Sequence, residues 1–439
     1  MDCRCESQAG DLILLRYVCI CSEAGCIQPN VTTKQLAASR KRLDTFLTEM
    51  LAPLGRKDRR QWGGVYLRGL LLDGDRKSAG AMAARLPDSN EQSLQQFLNQ
   101  SPWDWQPLWR QMAARVERTF PSAMAWIIDD TGFPKKGKHS VGVARQYSGT
   151  LGKTANCQIA VSLHRTDARG SSPLGFRLYL PQEWTDDPAR CQAAGVPDTV
   201  GFRPNWQLAL ELIDQALSWG LEKPPAVLAD ASYGDVTAFR EELAHRGLAY
   251  AVGISKSLAV WPEPPGGAIP AGNGRGRPTK CMRFGDKKPM SVKELAVANQ
   301  KRFGKVTWRE GSQGRLASRF WARRVESAHD WNHGQAPGKE VWLLVEWPAD
   351  EPEPVKYYLC DLPKSTSLRR LVATARGRWR VEQDYQQMKE ELGLDHFEGR
   401  SWTGWHHHVT MVMLAHLFLR LEQKRRSSKS ALDAAASAP

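Results

Sequence analysis

Three carboxylates in this chain occupy settings in which they could do chemistry together. Asp129 ends the apolar run Ala123-Met-Ala-Trp-Ile-Ile128 and is followed by Asp130, Thr131 and Gly132. Asp230 ends a second apolar run, Ala226-Val-Leu-Ala229. Glu382 lies within a stretch of good helix formers from Thr374 to Leu394, with Gly393 as its stop. At roughly 100° per residue, Arg378, Glu382 and Lys389 fall within about 40° of one another, so one acid lies between two bases on one stripe. Such a stripe reads either as a solvated salt-bridge face or as a metal-binding carboxylate flanked by cations that hold phosphates. Cutting a phosphodiester calls for two divalent ions roughly 3.5–4 Å apart, one activating the attacking water or 3′-hydroxyl and one stabilising the leaving oxygen. Mg²⁺ takes hard oxygen ligands and keeps several waters, so three carboxylates suffice to hold it, and Mn²⁺ can substitute.

Bulk properties point to the same class of partner. The 61 Lys and Arg residues outnumber 47 Asp and Glu, a net charge of +14, which favours a polyanion and most often a nucleic acid. At 439 residues the chain has room for two to four domains. It contains no run of eighteen apolar residues, so no membrane partner is expected, and Met1 to Cys26 lack the pattern of a secretory signal. The nine cysteines do not form a disulfide framework, which fits a reducing cytoplasm. Cys3, Cys5, Cys19, Cys21 and Cys26 have Cys-x-Cys spacings that admit a zinc site, although Cys-x2-Cys is the usual knuckle; the plainer reading is an N-terminal extension.

Periodicity organises the chain around these residues. Residues 1–35 read as an extension and 36–120 as a helical domain, with Arg56, Lys57, Arg59 and Arg60 clustered at one junction. That domain suits DNA docking or, equally, a helical cap on its neighbour. Residues 121–255 alternate strands and helices: a strand ending at the Asp129–Asp130 pair, a basic turn with Lys135 and Lys136, strands at 140–146, 156–164 and 175–180, a helix at 205–219, the strand before Asp230, a helix at 235–246 and a strand at 248–254. The pattern predicts parallel pairing beside an antiparallel meander, a mixed α/β sheet flanked by helices. Residues 256–365 read as a β-rich insertion that includes the loop Gly272–Pro278; 366–422 return to helices, the last running from His406 to about Leu421; 423–439 read as a disordered polar tail. His406, His407 and His408 would point about 100° apart on a helix and so suit packing or DNA contact better than one shared ion.

Four blocks carry a resemblance: Asp129-Asp-Thr-Gly-Phe-Pro-Lys-Lys-Gly137, Gly142-Val-Ala-Arg-Gln-Tyr-Ser-Gly149, Leu228-Ala-Asp-Ala-Ser-Tyr-Gly234 and the segment Arg380 to Trp402 that holds Glu382 and Lys389. Across roughly residues 40–420 the chain resembles DDE-type insertion-sequence transposases, especially the family numbered seven hundred and one. The resemblance implies an RNase H-like catalytic core with an inserted β-rich domain, and catalytic, metal-binding roles for Asp129, Asp230 and Glu382. Either Asp129 or Asp130 can align with the first acid; strand geometry lets only one of them face the metals. Arg378, Glu382 and Lys389 match the last three positions of the Tyr-x2-Arg-x3-Glu-x6-Lys signature. Ala375 stands at the Tyr position, which puts in question the DNA contact made there but not metal binding.

In such relatives an aromatic of the inserted domain stacks on a base flipped near the cut. Trp308, with Arg309, Arg315 and Arg319 nearby, is the candidate, its other reading being a core residue of the insertion. The resemblance further implies a cytoplasmic, nucleoid-associated enzyme that binds double-stranded DNA at terminal inverted repeats, cuts it with Mg²⁺, joins the 3′-hydroxyls to target DNA and works as a homodimer on paired ends. Two rivals share the same residues: a metal-dependent nuclease that cuts without joining, and a retired transposase kept as a DNA-binding protein.

Overall fold

Apolar runs and helical stripes become strands and helices largely where the pattern places them. The computed structural model of the chain describes residues 32–87, 89–149, 151–168, 170–270, 281–311 and 314–436, and the side chains of all of these except 309–311, 314, 315 and 426–436. The early cysteines with their zinc reading, the loop Gly272–Pro278 and the side chains of Arg309 and Arg315 lie outside the described residues.

In chain order the elements are helices α1 (Thr33–Met50), α2 (Lys57–Leu71), α3 (Ala79–Ala83), α4 (Glu91–Asn99) and α5 (Gln106–Thr119), then strands β1 (Ala125–Pro134), β2 (Ala144–Ser148), β3 (Lys153–Thr166) and β4 (Ser171–Leu178). Helices α6 (Gln182–Thr185), α7 (Pro188–Ala193) and α8 (Asn205–Ser218) follow, then β5 (Val227–Ala229), α9 (Ala231–Gly234), α10 (Thr237–His245) and β6 (Tyr250–Ile254). The remainder is β7 (Ala259–Trp261), β8 (Met290–Ser291), α11 (Val292–Ala298), β9 (Gly304–Gly311), β10 (Gly314–Ser327), β11 (Glu340–Glu346), β12 (Lys356–Cys360), α12 (Leu368–Ala375), α13 (Trp379–Glu390) and α14 (Trp402–Ala436). No described helix is long and apolar enough to cross a membrane.

These elements form two units. The first comprises the chain up to Ala123, Asp129–Glu222 and the chain from Arg380 onwards; the second comprises Met124–Ile128 and Lys223–Trp379. Within the first unit, β2 and β4 pair antiparallel with β3, the expected meander. Helix α14 is its axis. From Trp405 to Leu419 every residue is buried, so this helix has no polar face, as befits one enclosed on all sides. Helices α1, α2, α4 and α5 and strand β4 pack around it. A buried clamp fixes its far end: Glu422 accepts from Arg42 Nε at 2.6 Å and from Ser39 Oγ at 3.0 Å. The N-terminal helices are therefore wrapped on the same core as β3 and β4.

In the second unit the parallel pairs predicted from the alternation are present: Trp126 with Val227 and Ile127 with Leu228, then β5 with β6. From β6 the sheet continues antiparallel through β12, β11 and β10, with β9 and β7 both against β10. Helix α9 lies directly on β6. A Cβ at Gly234 would overlap the Gly253 carbonyl oxygen, so the motif Ala231-Ser-Tyr-Gly234 needs glycine at its end for backbone to meet backbone.

Four local expectations need correction. Strand β1 does not stop at Asp129; it runs to Pro134, because β3 lies alongside it. Ser140–Val143 turns instead of extending, with Gly142 at φ 72°. The segment from Thr374 is not one helix: α12 ends at Ala375, a 3₁₀ turn spans Arg376–Arg378 around Gly377, and α13 starts at Trp379. Glycine is the poorest helix former in that segment, and Gly377 lies against Leu228 of β5, where a Cβ would stand only 3.3 Å from its Cδ1. Arg378 thus leaves the helical stripe of Glu382 and Lys389. Finally, α14 starts four residues before His406 and continues past Leu421 to Ala436, through residues read from sequence as tail.

Candidate active site

Strand β1 separates its two neighbouring acids. Side chains alternate along a strand, so Asp129, Thr131 and Phe133 share one face and Asp130 takes the other. Asp130 Oδ2 accepts from Asn205 Nδ2 of α8 at 3.1 Å. Phe133 packs edge-on against Trp405 of α14, and the Lys389 ammonium of α13 lies 5.7 Å from its ring centre. The face holding Asp129 is therefore the α13 and α14 face, whereas Asp130 belongs to the α8 face. Asp129 is buried, and its Oδ1 accepts from the Asp130 backbone N–H at 3.0 Å.

Helix α13 presents Glu382 on its outer side while Val381, Asp384, Tyr385 and Met388 face inward. Two ties fix it to the sheet of the first unit. Lys389 Nζ donates to the Gly132 carbonyl at 2.9 Å, linking α13 to the strand that carries Asp129. Burial lowers the pKa of that ammonium. The second tie is a set of buried polar contacts that sequence reading missed. His164 Nδ1 lies 2.8 Å from Asp384 Oδ2, His164 Nε2 lies 2.9 Å from Ser162 Oγ, and Ser162 Oγ lies 2.5 Å from Tyr385 Oη. His416 Nε2 approaches Asp384 Oδ1 at 3.6 Å. Burial alone would raise the Asp384 pKa, but the His164 hydrogen bond and the nearby His416, His164 and Arg420 hold it below the ordinary value. At α13's end, Leu394 N–H reaches the Met388 carbonyl at 2.8 Å and Gly393 takes φ 66°, a left-handed stop that only glycine adopts without strain.

The remaining candidates lie in the second unit. Asp230 follows β5 and caps α9: its Oδ1 accepts from Ser232 N–H at 2.9 Å and Ser232 Oγ at 2.6 Å. Arg378 sits on the 3₁₀ turn that lies against the same strand, β5. Trp308 is partly exposed, packs edge-on against Phe320 at 5.5 Å, and has the Arg376 guanidinium 4.8 Å from its ring centre. Arg376 in turn pairs with Glu346 at 3.1 Å. Arg319 donates to the Trp347 and Pro348 carbonyls at 3.2 and 3.3 Å.

Basic residues of the first unit differ in how available they are. Lys135 Nζ donates to the Phe397 carbonyl at 2.6 Å, and burial brings its pKa down to about 8. Lys136 is exposed. Lys57 and Arg60 are exposed and Arg59 half-buried at the start of α2, while Arg56 pairs with Asp58 at 3.0 Å.

The histidine triplet is interior rather than DNA-facing. His406, His407 and His408 are all buried. His406 Nδ1 meets the Trp402 carbonyl at 2.9 Å; His408 lies between Tyr66 Oη at 2.8 Å and the Gly393 carbonyl at 3.0 Å. Burial depresses the pKa of both to about 3. His407 faces carbonyls with both nitrogens, Leu98 at 2.7 Å and Trp103 at 2.8 Å; burial lowers its pKa to about 4 against those two contacts, which favour the protonated ring. For His406 and His408 the folded pKa lies below the unfolded one, so the unfolded chain binds more protons below about pH 6.5. Stability should then fall as pH drops through that point, by roughly 2 kcal/mol per ring between pH 7 and 5 at about 1.4 kcal/mol per pH unit. Urea unfolding at the two pH values measures this; equal free energies would contradict neutral buried rings.

Asp129, Asp230 and Glu382 offer only carboxylate oxygens, the donor type that suits Mg²⁺ or Mn²⁺ and not a soft-ligand metal. Asp129 and Glu382 belong to the first unit and Asp230 to the second. Among the described residues no three His, Cys, Asp or Glu side chains gather as a metal site.

Comparison with known proteins gives two findings. The family described as DDE superfamily endonuclease matches residues 49–315, more than half of the chain and a span that includes Asp129 and Asp230 but not Glu382. A protein from Microchaete diplosiphon named as a probable transposase for insertion sequence element IS701 is 35% identical over 170 residues. That match takes in 38% of this chain and 41% of the relative.

Proposed function

We propose that this chain, which belongs to the DDE superfamily of endonucleases, is a DNA transposase that binds the terminal inverted repeats of an insertion sequence, cleaves its ends and joins the 3′-hydroxyls to target DNA. Asp129, Asp230 and Glu382 are the residues we assign to hold the divalent ions, Mg²⁺ with Mn²⁺ as a substitute. Once bound, those ions supply an activated water or 3′-hydroxyl and a stabilised leaving oxygen.

The observation that carries the reading is the sorting of acids by strand face. Asp129 lies on the side of β1 that bears α13, the helix of Glu382, and Lys389 hydrogen-bonds the two elements together. Asp230 is assigned from its own setting: it directly follows β5, the strand whose Val227 and Leu228 pair with Trp126 and Ile127 of β1. Asp130 is then a structural residue that holds α8 through Asn205.

The chain's own groups do the rest of the work. Arg378 and the exposed Lys136, Lys57 and Arg60 are proposed to hold phosphates by charge, a sequence-independent attraction that weakens steeply with salt. Lys389 and Lys135, already bound to carbonyls, position the strand and loops of the site. Trp308 is proposed to stack on an unpaired base; Arg376 lies over its ring and would have to be displaced or shared. Two copies on paired DNA ends complete the assembly, since both ends must be cut together. The test is incubation with duplexes ending in the element's inverted repeats, with Mg²⁺ and a target plasmid. Cleavage and covalent joining are expected; cutting without joining would identify a nuclease, and binding without cutting a DNA-binding protein.

A further inference from the structure

The buried contacts beneath α13 form one connected chain. A carboxylate only accepts, so His164 Nδ1–H donates to Asp384; when the imidazole is neutral, its Nε2 accepts the Ser162 hydroxyl and Ser162 Oγ in turn accepts from Tyr385 Oη–H. Ser, His and Asp in this order resemble a hydrolytic triad, but Ser162, His164 and Asp384 are all 1% exposed or less, so no substrate reaches the hydroxyl. The chain must serve through what it holds.

We propose that Ser162, His164, Asp384 and Tyr385 are positioning residues for Glu382: together they set the rotation and depth of α13 and thereby the place of its metal-binding carboxylate. This rests on the reading of Glu382 as a metal ligand. Apolar packing alone would let a helix slide or rotate at small cost, because apolar contacts are not directional. A buried carboxylate is different. Turning α13 by one residue would carry Asp384 about 100° away from His164 and leave its charge unpaired in the core. Tyr385 adds a second fixed point on the next residue, and both anchor to alternate residues of β3, the strand beside β1. Glu382 stands less than one turn before Asp384 on the same helix, so the anchored side chains and the exposed acid move as one body. Groups that orient metal ligands typically matter about 10–100-fold for metal affinity or activity.

Tyr385→Phe and Ser162→Ala each remove one hydroxyl and keep the packing; Asp384→Asn is a harsher third variant. Each is compared with wild type and Glu382→Ala for thermal unfolding, binding of a terminal-repeat duplex, Mn²⁺ binding to the protein–DNA complex by electron paramagnetic resonance, and Mn²⁺-dependent cleavage. Tyr385→Phe is expected to fold and bind duplex as wild type does, yet to need about tenfold more Mn²⁺ for half-saturation and to cleave about 10–100-fold more slowly. Ser162→Ala should match it, and the double variant should be no worse than either single one, since both break the same chain. If Tyr385→Phe and Ser162→Ala keep wild-type Mn²⁺ affinity and cleavage while Glu382→Ala does not cleave, the positioning role is wrong and the assignment of Glu382 stands. If Glu382→Ala itself cleaves normally, that assignment falls, and this inference with it.

Discussion

Glu382→Ala retains binding to terminal-repeat duplexes and loses strand cleavage by about 10³-fold or more. The size follows from what a carboxylate ligand secures: an ion bound at the reacting phosphate contributes several kcal/mol of transition-state stabilisation, and each 1.4 kcal/mol or so is tenfold in rate. The selectivity follows from position. Glu382 is on the outer side of α13, while the inner side is held by Asp384, Tyr385 and Lys389, so truncating it leaves the helix seated. Binding of the duplex rests on many cations spread over the surface and should change little. A gel-shift titration beside a single-turnover cleavage assay separates the two effects; normal cleavage by the variant would remove Glu382 from the site.

Asp129→Asn and Asp130→Asn should part company just as widely, although the residues are neighbours. The first removes the carboxylate that we assign to the divalent ions, on the face shared with α13, and should abolish cleavage to a similar extent as Glu382→Ala. The second keeps an oxygen that can still accept from Asn205, so its cost is a weakened hydrogen bond of about 1 kcal/mol in stability and a modest loss of rate. Because metal-site ligands act as a unit, the Asp129→Asn and Glu382→Ala double variant should be no slower than either alone. If Asp130→Asn is the inactive variant, the face assignment along β1 is reversed.

The sequence carried the strands before Asp129 and Asp230 because each is a short apolar run closed by an acid, a pattern that needs no knowledge of neighbours. The mixed sheet followed from the alternation of strand and helix, as the parallel pairs of β1, β5 and β6 confirm. What could not be read was which acid of the pair faces α13, since β1 continues through both and only the packing of Phe133 and Asn205 distinguishes the faces. Gly377 was also opaque: strong helix formers flank it, and its 3₁₀ turn is set by close approach to Leu228. The partnership of Asp384 with His164 spans 220 positions, beyond any local pattern. One local signal was available: a charged residue at 384 on the apolar stripe of Val381, Tyr385 and Met388, where burial demands a partner.

In the proposed reaction Asp129, Asp230 and Glu382 share divalent ions when DNA is bound. Crystals of the complex with a terminal-repeat duplex, grown with Mn²⁺ and measured at a wavelength where manganese scatters anomalously, test it most directly. Anomalous peaks coordinated by carboxylate oxygens of all three residues are expected, with Asp130 turned toward Asn205. Manganese bound elsewhere on the chain, with any of the three carboxylates away from it, would contradict the account.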